Sequence, residues 1–170
     1  MKKSSGWLVS VGVIILVGIT ALILLQPNSL KRQSEVNNSS RIAGKSTLPS
    51  MKKSKQMVLE TTLHFGRAAN AGDYSSFYKI LSEEFKSTFS QEQFTKTFSG
   101  FIQQKINILP VKNHPLKFNE NPSLAEDGTL ILKGYFSTQP SRVYFDYKYS
   151  RSSNDWQLSG IDISVQPVKQ

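Results

Sequence analysis

Residues 129–149 read TLILKGYFSTQPSRVYFDYKY, and this stretch carries the clearest structural pattern in the chain. Its residues alternate between two sets on either side of the turn Gln139-Pro140-Ser141. One set forms a continuous apolar series of Leu130, Leu132, Gly134, Phe136, Val143, Phe145, Tyr147 and Tyr149. Because successive side chains of a strand point to opposite faces, the pattern predicts two antiparallel strands with one covered face.

A further strand is predicted after a turn at residues 151–155. Its apolar residues fall into two sets that are out of phase by one position. These sets are Trp156 with Leu158, and Ile161 with Ile163 and Val165. Gly160 lies between them, and a glycine bulge there would return both sets to the covered face. Shorter extended segments are predicted at residues 106–109 and 116–119.

Three amphipathic helices are predicted upstream of the sheet. In the first, apolar positions recur at helical spacing from Val58, and Gly72 is the predicted stop. The second is predicted to begin with Asp73 as its N-cap and to carry an aromatic stripe as far as Phe85. In the third, Ser90 and a glutamine three residues later match a capping box.

Helices followed by a sheet predict an α+β domain. We expect three helices to pack on a curved, mostly antiparallel sheet, because each helix has an apolar face that needs a covering surface. The domain is assigned to residues 51–170, a length that can bury one hydrophobic core of its own.

The N-terminal part contains an uncharged apolar run of 19 residues, Trp7–Leu25. About 20 apolar residues cross the hydrocarbon core of a bilayer, so the run predicts a single-pass transmembrane helix. No small-x-small cleavage site follows it, which favours an uncleaved signal-anchor. Residues 1–6 are then a short tail. Residues 26–50, which are rich in polar side chains, are predicted to be a flexible linker.

The orientation of this anchor rests on the length of the tail. Basic residues lie on both sides of the apolar run, so the positive-inside rule is nearly balanced. A very short tail before an early apolar run usually stays inside the cell. We therefore expect the domain on the extracytoplasmic side of the cell membrane.

The net charge of +9 is divided between the two parts of the chain. Residues 1–50 hold six basic side chains and one acidic side chain, so more than half of the excess flanks the predicted membrane helix. In residues 51–170 the basic side chains are scattered rather than clustered in stripes. The pattern is not that of a nucleic-acid-binding protein, and we expect no nucleic-acid partner.

Catalytic and metal-binding patterns are not found in the sequence. The chain has no cysteine, and its two histidines are isolated from any ligand spacing that zinc requires. His64 and Glu60 are predicted to form an exposed pair one helical turn apart. Asp146 and Asp162 alternate with core residues, so both are predicted to point outward. We expect no catalytic residues, no metal and no cofactor.

The order of these elements resembles the nuclear transport factor 2-like superfamily, which shares a cone-shaped fold with ketosteroid isomerase. The features that carry the resemblance are Ala68-Ala69-Asn70-Ala71-Gly72-Asp73-Tyr74, then Phe85-(x)4-Ser90-x-x-Gln93-Phe94, and the paired strands Val143–Tyr149 and Asp155–Ile161. The resemblance covers residues 55–165 and rests on pattern and order rather than on an invariant motif.

What the resemblance implies is a cavity between the helices and the concave sheet. The ligand-binding residues expected along such a cavity are Tyr78, Phe98, Phe101, Phe136, Phe145, Tyr147 and Trp156. An aromatic series of this kind is also ordinary core, so both interpretations are kept. The resemblance further implies a homodimer or protein partner at the open sheet face, where Ile131, Tyr135 and Tyr144 point outward.

The sequence therefore predicts a membrane-anchored, extracytoplasmic binding or assembly module without catalytic activity. Its alternative is a protein that binds a small apolar ligand in the cone, or an isomerase- or dehydratase-like enzyme that uses the same cavity. A cavity packed shut together with an exposed sheet face would favour the first prediction. An open cavity with an inward-facing Tyr or Asp would favour the second.

Overall fold

The computed structural model describes residues 47–152 and 155–168. Helices pack on one face of a mostly antiparallel open sheet, so the fold class is α+β, as predicted. Among the described residues no helix is both long and apolar enough to cross a membrane. The predicted anchor at residues 7–25 lies outside them, as do the tail 1–6 and most of the linker 26–50.

The described residues form four α-helices, one 3-10 helix and five strands. The α-helices are α1 (Met51–Ala71), α2 (Ser75–Lys79), α3 (Glu83–Thr88) and α4 (Gln91–Gln103). The 3-10 helix is Leu109–Asn113. The strands are β1 (Leu116–Phe118), β2 (Ser123–Leu124), β3 (Leu130–Phe136), β4 (Ser141–Ser152) and β5 (Asp155–Pro167).

The long helix α1 has a defined start and stop. The Ser50 side chain accepts a hydrogen bond from the Lys53 backbone N–H at the N-terminus. Gly72, the predicted stop, adopts the left-handed conformation with φ 75° and closes the last turn through bonds from its own N–H and that of the next residue. The apolar face between these ends is buried, with Phe65 against aromatic rings of α2 and α4 and Thr62 against Tyr147 of the sheet.

The prediction of three helices was wrong, because the predicted second helix is two short ones. The chain leaves helical geometry between α2 and α3, where Leu81 forms a parallel bridge with Leu158 and the Ser82 N–H donates to the Leu158 carbonyl. The Ser82 side chain then caps α3. The prediction of Asp73 as the N-cap was also wrong by one position. Its carboxylate accepts from the Ser75 N–H, while Tyr74 occupies the N-cap.

The extended segment predicted at residues 106–109 was also wrong. The chain forms the 3-10 helix at Leu109–Asn113, with Ile108 and Val111 buried three residues apart. This segment packs on α1 at Gly66, where an added Cβ would lie 2.9 Å from an Ile108 side-chain carbon. Glycine at that position allows the close approach.

The N-terminus of α4 confirms the predicted capping box. The Ser90 side chain accepts from the Gln93 N–H, and the Gln93 side chain accepts from the Ser90 N–H. The rings of Phe89 and Phe94 lie 6.5 Å apart on either side of this cap. Local sequence is sufficient here because both partners of each bond lie within one helical turn.

The sheet has the order β1-β3-β4-β5, and the short β2 pairs with β3. The predicted bulge in β5 is confirmed, since the register shifts where Lys148 faces Gly160 and Tyr149 faces Leu158. Leu158 and Ile163 are consequently both buried despite their odd spacing. The inner face of the sheet carries the core and contacts the helices, whereas its outer face has no covering element among the described residues.

Candidate functional site

The space between α1 and β4 is occupied by two tyrosines of the sheet. The hydroxyl of Tyr147 lies 2.9 Å from Thr62 Oγ1, and that of Tyr149 lies 2.8 Å from Thr61 Oγ1. Tyr147 and Thr62 are both 0 % exposed. The two aromatic side chains thus span the interior and end on adjacent hydroxyls of α1.

These hydroxyl contacts have a defined direction at Thr62. Its Oγ1 donates to the Val58 carbonyl at 2.8 Å, so its remaining role toward Tyr147 is that of acceptor. Burial raises the pKa of Tyr147 and of Tyr149 well above the ordinary value for tyrosine, so both remain neutral. Each phenol has a hydrogen-bond partner within the protein, and Tyr149 and Thr61 also line a surface depression beside α1.

The predicted ligand-binding residues are divided among three locations. Phe136, Phe145 and Tyr147 are buried in the core, where their rings follow one another at 5.7 and 5.3 Å. Tyr78 donates its hydroxyl hydrogen to the Phe89 carbonyl, 2.7 Å away. The remaining three, Phe98, Phe101 and Trp156, line surface depressions.

The first depression lies beside the N-terminal half of α1 and has a volume of about 290 Å³. Trp156 lines it together with Glu60, His64 and Asp155. The predicted pair of His64 with Glu60 was wrong, because the Glu60 carboxylate accepts from Gln56 and the His64 ring packs edge-on against Phe77. Among the described residues no group of His, Asp and Glu side chains is arranged to hold a metal ion.

The second depression is a groove of about 410 Å³ between α4 and β5. Phe98 and Phe101 line it from the helix, and Ile161–Val165 line it from the strand. These five consecutive strand residues have side chains on both faces, so the groove includes the outer edge of β5, the last strand of the sheet. Two of the predicted ligand-binding residues, Phe98 and Phe101, therefore lie together in one groove.

The outer face of the sheet carries the predicted partner residues. Tyr135 and Tyr144 are directly opposite each other on β3 and β4, with ring centres 5.6 Å apart. The Arg142 guanidinium lies over the Tyr135 ring at 4.6 Å. Ile131 points to the same face two positions further along β3, beyond Lys133, and is partly exposed. The centre of this face is therefore aromatic and partly open to solvent.

A row of charges lies beside the tyrosines on the same face. Lys133, Asp146 and Asp162 are opposite one another on β3, β4 and β5. Lys133 Nζ lies 3.3 Å from Asp146 Oδ2, and Asp146 Oδ1 has no hydrogen-bond partner within the described part of the chain. Partial burial, and secondarily the Asp146 charge, raise the pKa of Asp162 above its ordinary value.

Sequence reasoning identified the faces but not the contacts. It placed Asp146, Asp162 and the tyrosines outward, yet it did not pair Lys133 with Asp146 or place Arg142 over Tyr135. The alternation within residues 142–148 contains the needed signal, because Arg142, Tyr144 and Asp146 share one phase. The roles of Thr61 and Thr62 were missed, since a threonine on a helix gives no sign of a partner 85 or more residues away.

Comparisons with known proteins give no family assignment. No family model, no curated protein and no solved structure matches this chain.

Proposed function

We propose that this chain is a membrane-anchored, single-pass protein whose extracytoplasmic domain is a binding or assembly module without catalytic activity. The domain would be held at the cell membrane by residues 7–25 and separated from it by the linker 26–50. Its working surface would be the outer sheet face around Ile131, Tyr135 and Tyr144, where it meets a protein partner.

One observation carries this proposal. The hydroxyls of Tyr147 and Tyr149, which a ligand in the cone would need, are already bonded to Thr62 and Thr61. The interior at this point therefore serves stability, and a partly open aromatic surface lies on the other side of the sheet. Tyrosine and arginine, which this face presents in Tyr135, Tyr144 and Arg142, are enriched in protein interfaces.

The nuclear transport factor 2-like assignment is part of the same proposal. It is supported by the order of elements, with helices first and an antiparallel sheet second, and by α1 packing across the inner face of the sheet. The bulge in β5 adds the curvature that such a sheet needs. Fold alone selects no activity, so the functional argument rests on the surface.

Membrane topology can be tested with single cysteines, because the natural chain has none. Arg67→Cys places a thiol on an exposed position of α1. If the domain is extracytoplasmic, a membrane-impermeant maleimide should label this variant in intact cells. Labelling that requires cell lysis would contradict the proposed topology.

The working surface can be tested by photo-crosslinking in native membranes. A photoreactive amino acid at Tyr144 should give a discrete crosslinked protein product with the full chain. The same amino acid at Arg67, which is exposed on α1, is the matched control and should give little product. Equal yields at the two positions would count against a specific role for the outer sheet face.

A second candidate function is favoured by the groove between α4 and β5. Its volume of about 410 Å³ lies within the usual range for small-molecule sites, and it is lined by Phe98, Phe101 and the partly buried Asp162. An apolar ligand such as a fatty acid would suit this lining.

Ligand binding in the groove can be measured with an environment-sensitive apolar dye. Val165→Arg would place a charge in the groove and should abolish saturable dye binding. Ile131→Arg, on the outer sheet face, is the matched control and should leave it unchanged. If neither the natural chain nor the control binds the dye saturably, the second candidate fails.

A further inference from the structure

We propose that the N-terminal end of α1 docks on the surface of the membrane that anchors the chain, with anionic phospholipid as its partner. The docking surface consists of two exposed apolar side chains and three exposed lysines, namely Leu48, Met51, Lys52, Lys53 and Lys55. The inference rests on the proposed function, because it takes residues 7–25 to be inserted in the bilayer. It adds a lipid-binding surface on the domain itself.

The apolar part of the docking surface is unusually open to solvent. Leu48 is 49 % exposed and Met51 is 46 % exposed, and they are two of the three exposed large hydrophobic side chains in the described part of the chain. Met51 shares a face of α1 with Ser54 and Val58, which are both buried. This face therefore extends beyond the core that covers it. Exposed apolar side chains at such an end can insert at the headgroup boundary of a bilayer.

The lysines of the docking surface have no acidic neighbour nearby in sequence, because residues 47–59 contain no Asp or Glu. Glu60, the next acidic residue, accepts a hydrogen bond from Gln56. Asp155 lines one depression with Lys53, yet within the described residues none of the three lysines forms an ion pair. Clustered lysines that follow a membrane-spanning segment attract anionic headgroups.

Helix stability does not account for these lysines. Positive charge at the N-terminus of a helix opposes the macrodipole, and acidic residues are favoured there. The first turns of α3 and α4 contain Glu83, Glu84 and Glu92, whereas the first turn of α1 contains no acid. The lysines are therefore unfavourable for α1 in water, and an anionic surface would offset that cost.

The linker brings this end of α1 within reach of the lipid. Residues 26–50 connect the proposed membrane helix directly to Met51, and a flexible chain of this length spans about 25–30 Å on average. The first turn of α1 can therefore reach the headgroups while the domain stays folded. Arg67, in the C-terminal half of α1, is about 24 Å from Met51 along the helix axis.

Docking at this end leaves the outer sheet face open. The end of the sheet beside the docking surface is where Tyr149 approaches Met57 and where Asp155 approaches Lys53. Tyr144 is five residues away from Tyr149 along β4 and points to the opposite face of the sheet. A protein partner could therefore bind while the domain is docked.

The test uses the full chain in phospholipid vesicles, where one fluorescent dye reports how close a position lies to lipid. The natural chain has no cysteine, so Thr47→Cys places a single label beside the docking surface without changing it. A lipid-bound nitroxide should quench this dye in vesicles of phosphatidylcholine with phosphatidylglycerol. Arg67→Cys, exposed on the same helix, is the matched control, and its dye should be quenched at least about twofold less.

Charge reversal separates docking from simple tethering by the linker. In the variant Lys52→Glu with Lys55→Glu, quenching at position 47 should fall at least about twofold, because the surface then repels anionic lipid. Unfolding would not be the cause, since glutamate near the start of a helix favours its dipole, and circular dichroism checks this. Lys96→Glu with Lys112→Glu makes the same change in net charge at two exposed lysines elsewhere and should leave the quenching unchanged.

The apolar and lipid components are tested in the same assay. Leu48→Ser with Met51→Ser removes the side chains that would insert, so quenching at position 47 should fall. Vesicles of phosphatidylcholine alone lack anionic headgroups, and quenching of the otherwise natural chain should fall there as well. Equal quenching with and without phosphatidylglycerol would overturn the inference.

The outcomes separate this inference from the proposed function. If charge reversal at positions 52 and 55 leaves the quenching unchanged, the linker alone holds the domain near the lipid, and the inference fails while the proposed function stands. If alkaline washing removes the natural chain from the vesicles, residues 7–25 are not inserted and both fail. Quenching at position 47 that needs both the lysines and phosphatidylglycerol would support the docking surface.

Discussion

At the scale of single residues, the contact between Thr62 and Tyr147 gives the most direct stability prediction. Thr62→Val keeps the shape of the side chain but leaves the buried Tyr147 hydroxyl without its partner. We expect the free energy of unfolding to fall by about 1–3 kcal/mol, the usual penalty for a buried unsatisfied group. Urea denaturation of the full chain in detergent would measure it.

Two companion variants identify the hydroxyl as the cause. Thr62→Ser retains the acceptor and should lose less stability than Thr62→Val. The double variant Thr62→Val with Tyr147→Phe removes both partners, and it should regain part of the loss because no polar group is left unpaired. If the double variant is as unstable as the sum of both single variants, the hydrogen bond is not the source.

Asp162 gives a prediction about pH. Its pKa is raised in the folded state, mainly by partial burial, above the value of 3.8 that applies when it is unperturbed. The folded protein then holds this proton more tightly than the unfolded chain, so this residue's contribution to stability falls as pH rises from about 4 through the raised pKa. Asp162→Asn should remove that fall.

This pH dependence can be measured from the urea denaturation midpoints of the natural chain and Asp162→Asn between about pH 3 and pH 7. Asp127→Asn is the comparison variant. The pKa of Asp127 is lowered, chiefly by the hydrogen bond from the Thr129 N–H, so its contribution to stability has the opposite sign and is lost as pH falls. The two variants should therefore change the pH profile in opposite directions. Parallel profiles for the natural chain and Asp162→Asn would refute the assignment.

At the scale of elements, Gly134 controls how β1 approaches β3. A Cβ at this position would lie 2.1 Å from the Lys117 carbonyl oxygen and 2.8 Å from the Phe145 ring. Since one of these neighbours is backbone, the strain cannot be relieved by a change of rotamer. Gly134→Ala should cost about 3 kcal/mol of unfolding free energy, at the upper end for overpacking.

Gly100 in α4 is the matched control for that variant. An added Cβ there has no neighbour closer than 3.8 Å. Alanine has the higher helix propensity, so Gly100→Ala should stabilise the protein by about 0.5–1 kcal/mol. Denaturation of both variants by urea would compare them, and a similar loss of stability for each would show that Gly134 has no special steric role.

Elements that are determined by neighbouring residues could be predicted from the sequence, whereas elements that depend on distant contacts could not. The capping box at Ser90 and the alternation in β3 and β4 are local patterns, and both are confirmed. The break between α2 and α3 has a distant cause, because Leu81 bridges to Leu158 in β5. The 3-10 helix also packs closely against Gly66 of α1, a contact between distant parts of the chain that a local pattern does not reveal.

The candidate site was predictable to a similar degree. Period-2 alternation assigned Tyr135, Tyr144 and Asp146 to the outer face without any structure. The sequence could not predict that Asp162 lies opposite Asp146, because this pairing depends on the register of β4 and β5 across the bulge at Gly160. One residue of slip would have reversed the face of every residue in one half of β5.

At the scale of the whole molecule, the two faces of the sheet have different roles. The inner face is used for stability, with Tyr147 and Tyr149 bonded to α1 and the aromatic core beside them. The outer face is where we propose that the chain meets a protein partner. Anchoring by residues 7–25 would confine the domain to the membrane surface, which raises its effective concentration toward a partner in the same membrane.

Photo-crosslinking of the full chain in native membranes, compared between a photoreactive amino acid at Tyr144 and one at Ile80, tests the central claim most directly. Ile80 is the control, because it is 44 % exposed and follows α2, away from the sheet face. We predict a discrete crosslinked protein product from position 144 and little product from position 80, because only position 144 lies on the outer sheet face. Equal yields at the two positions would contradict the account.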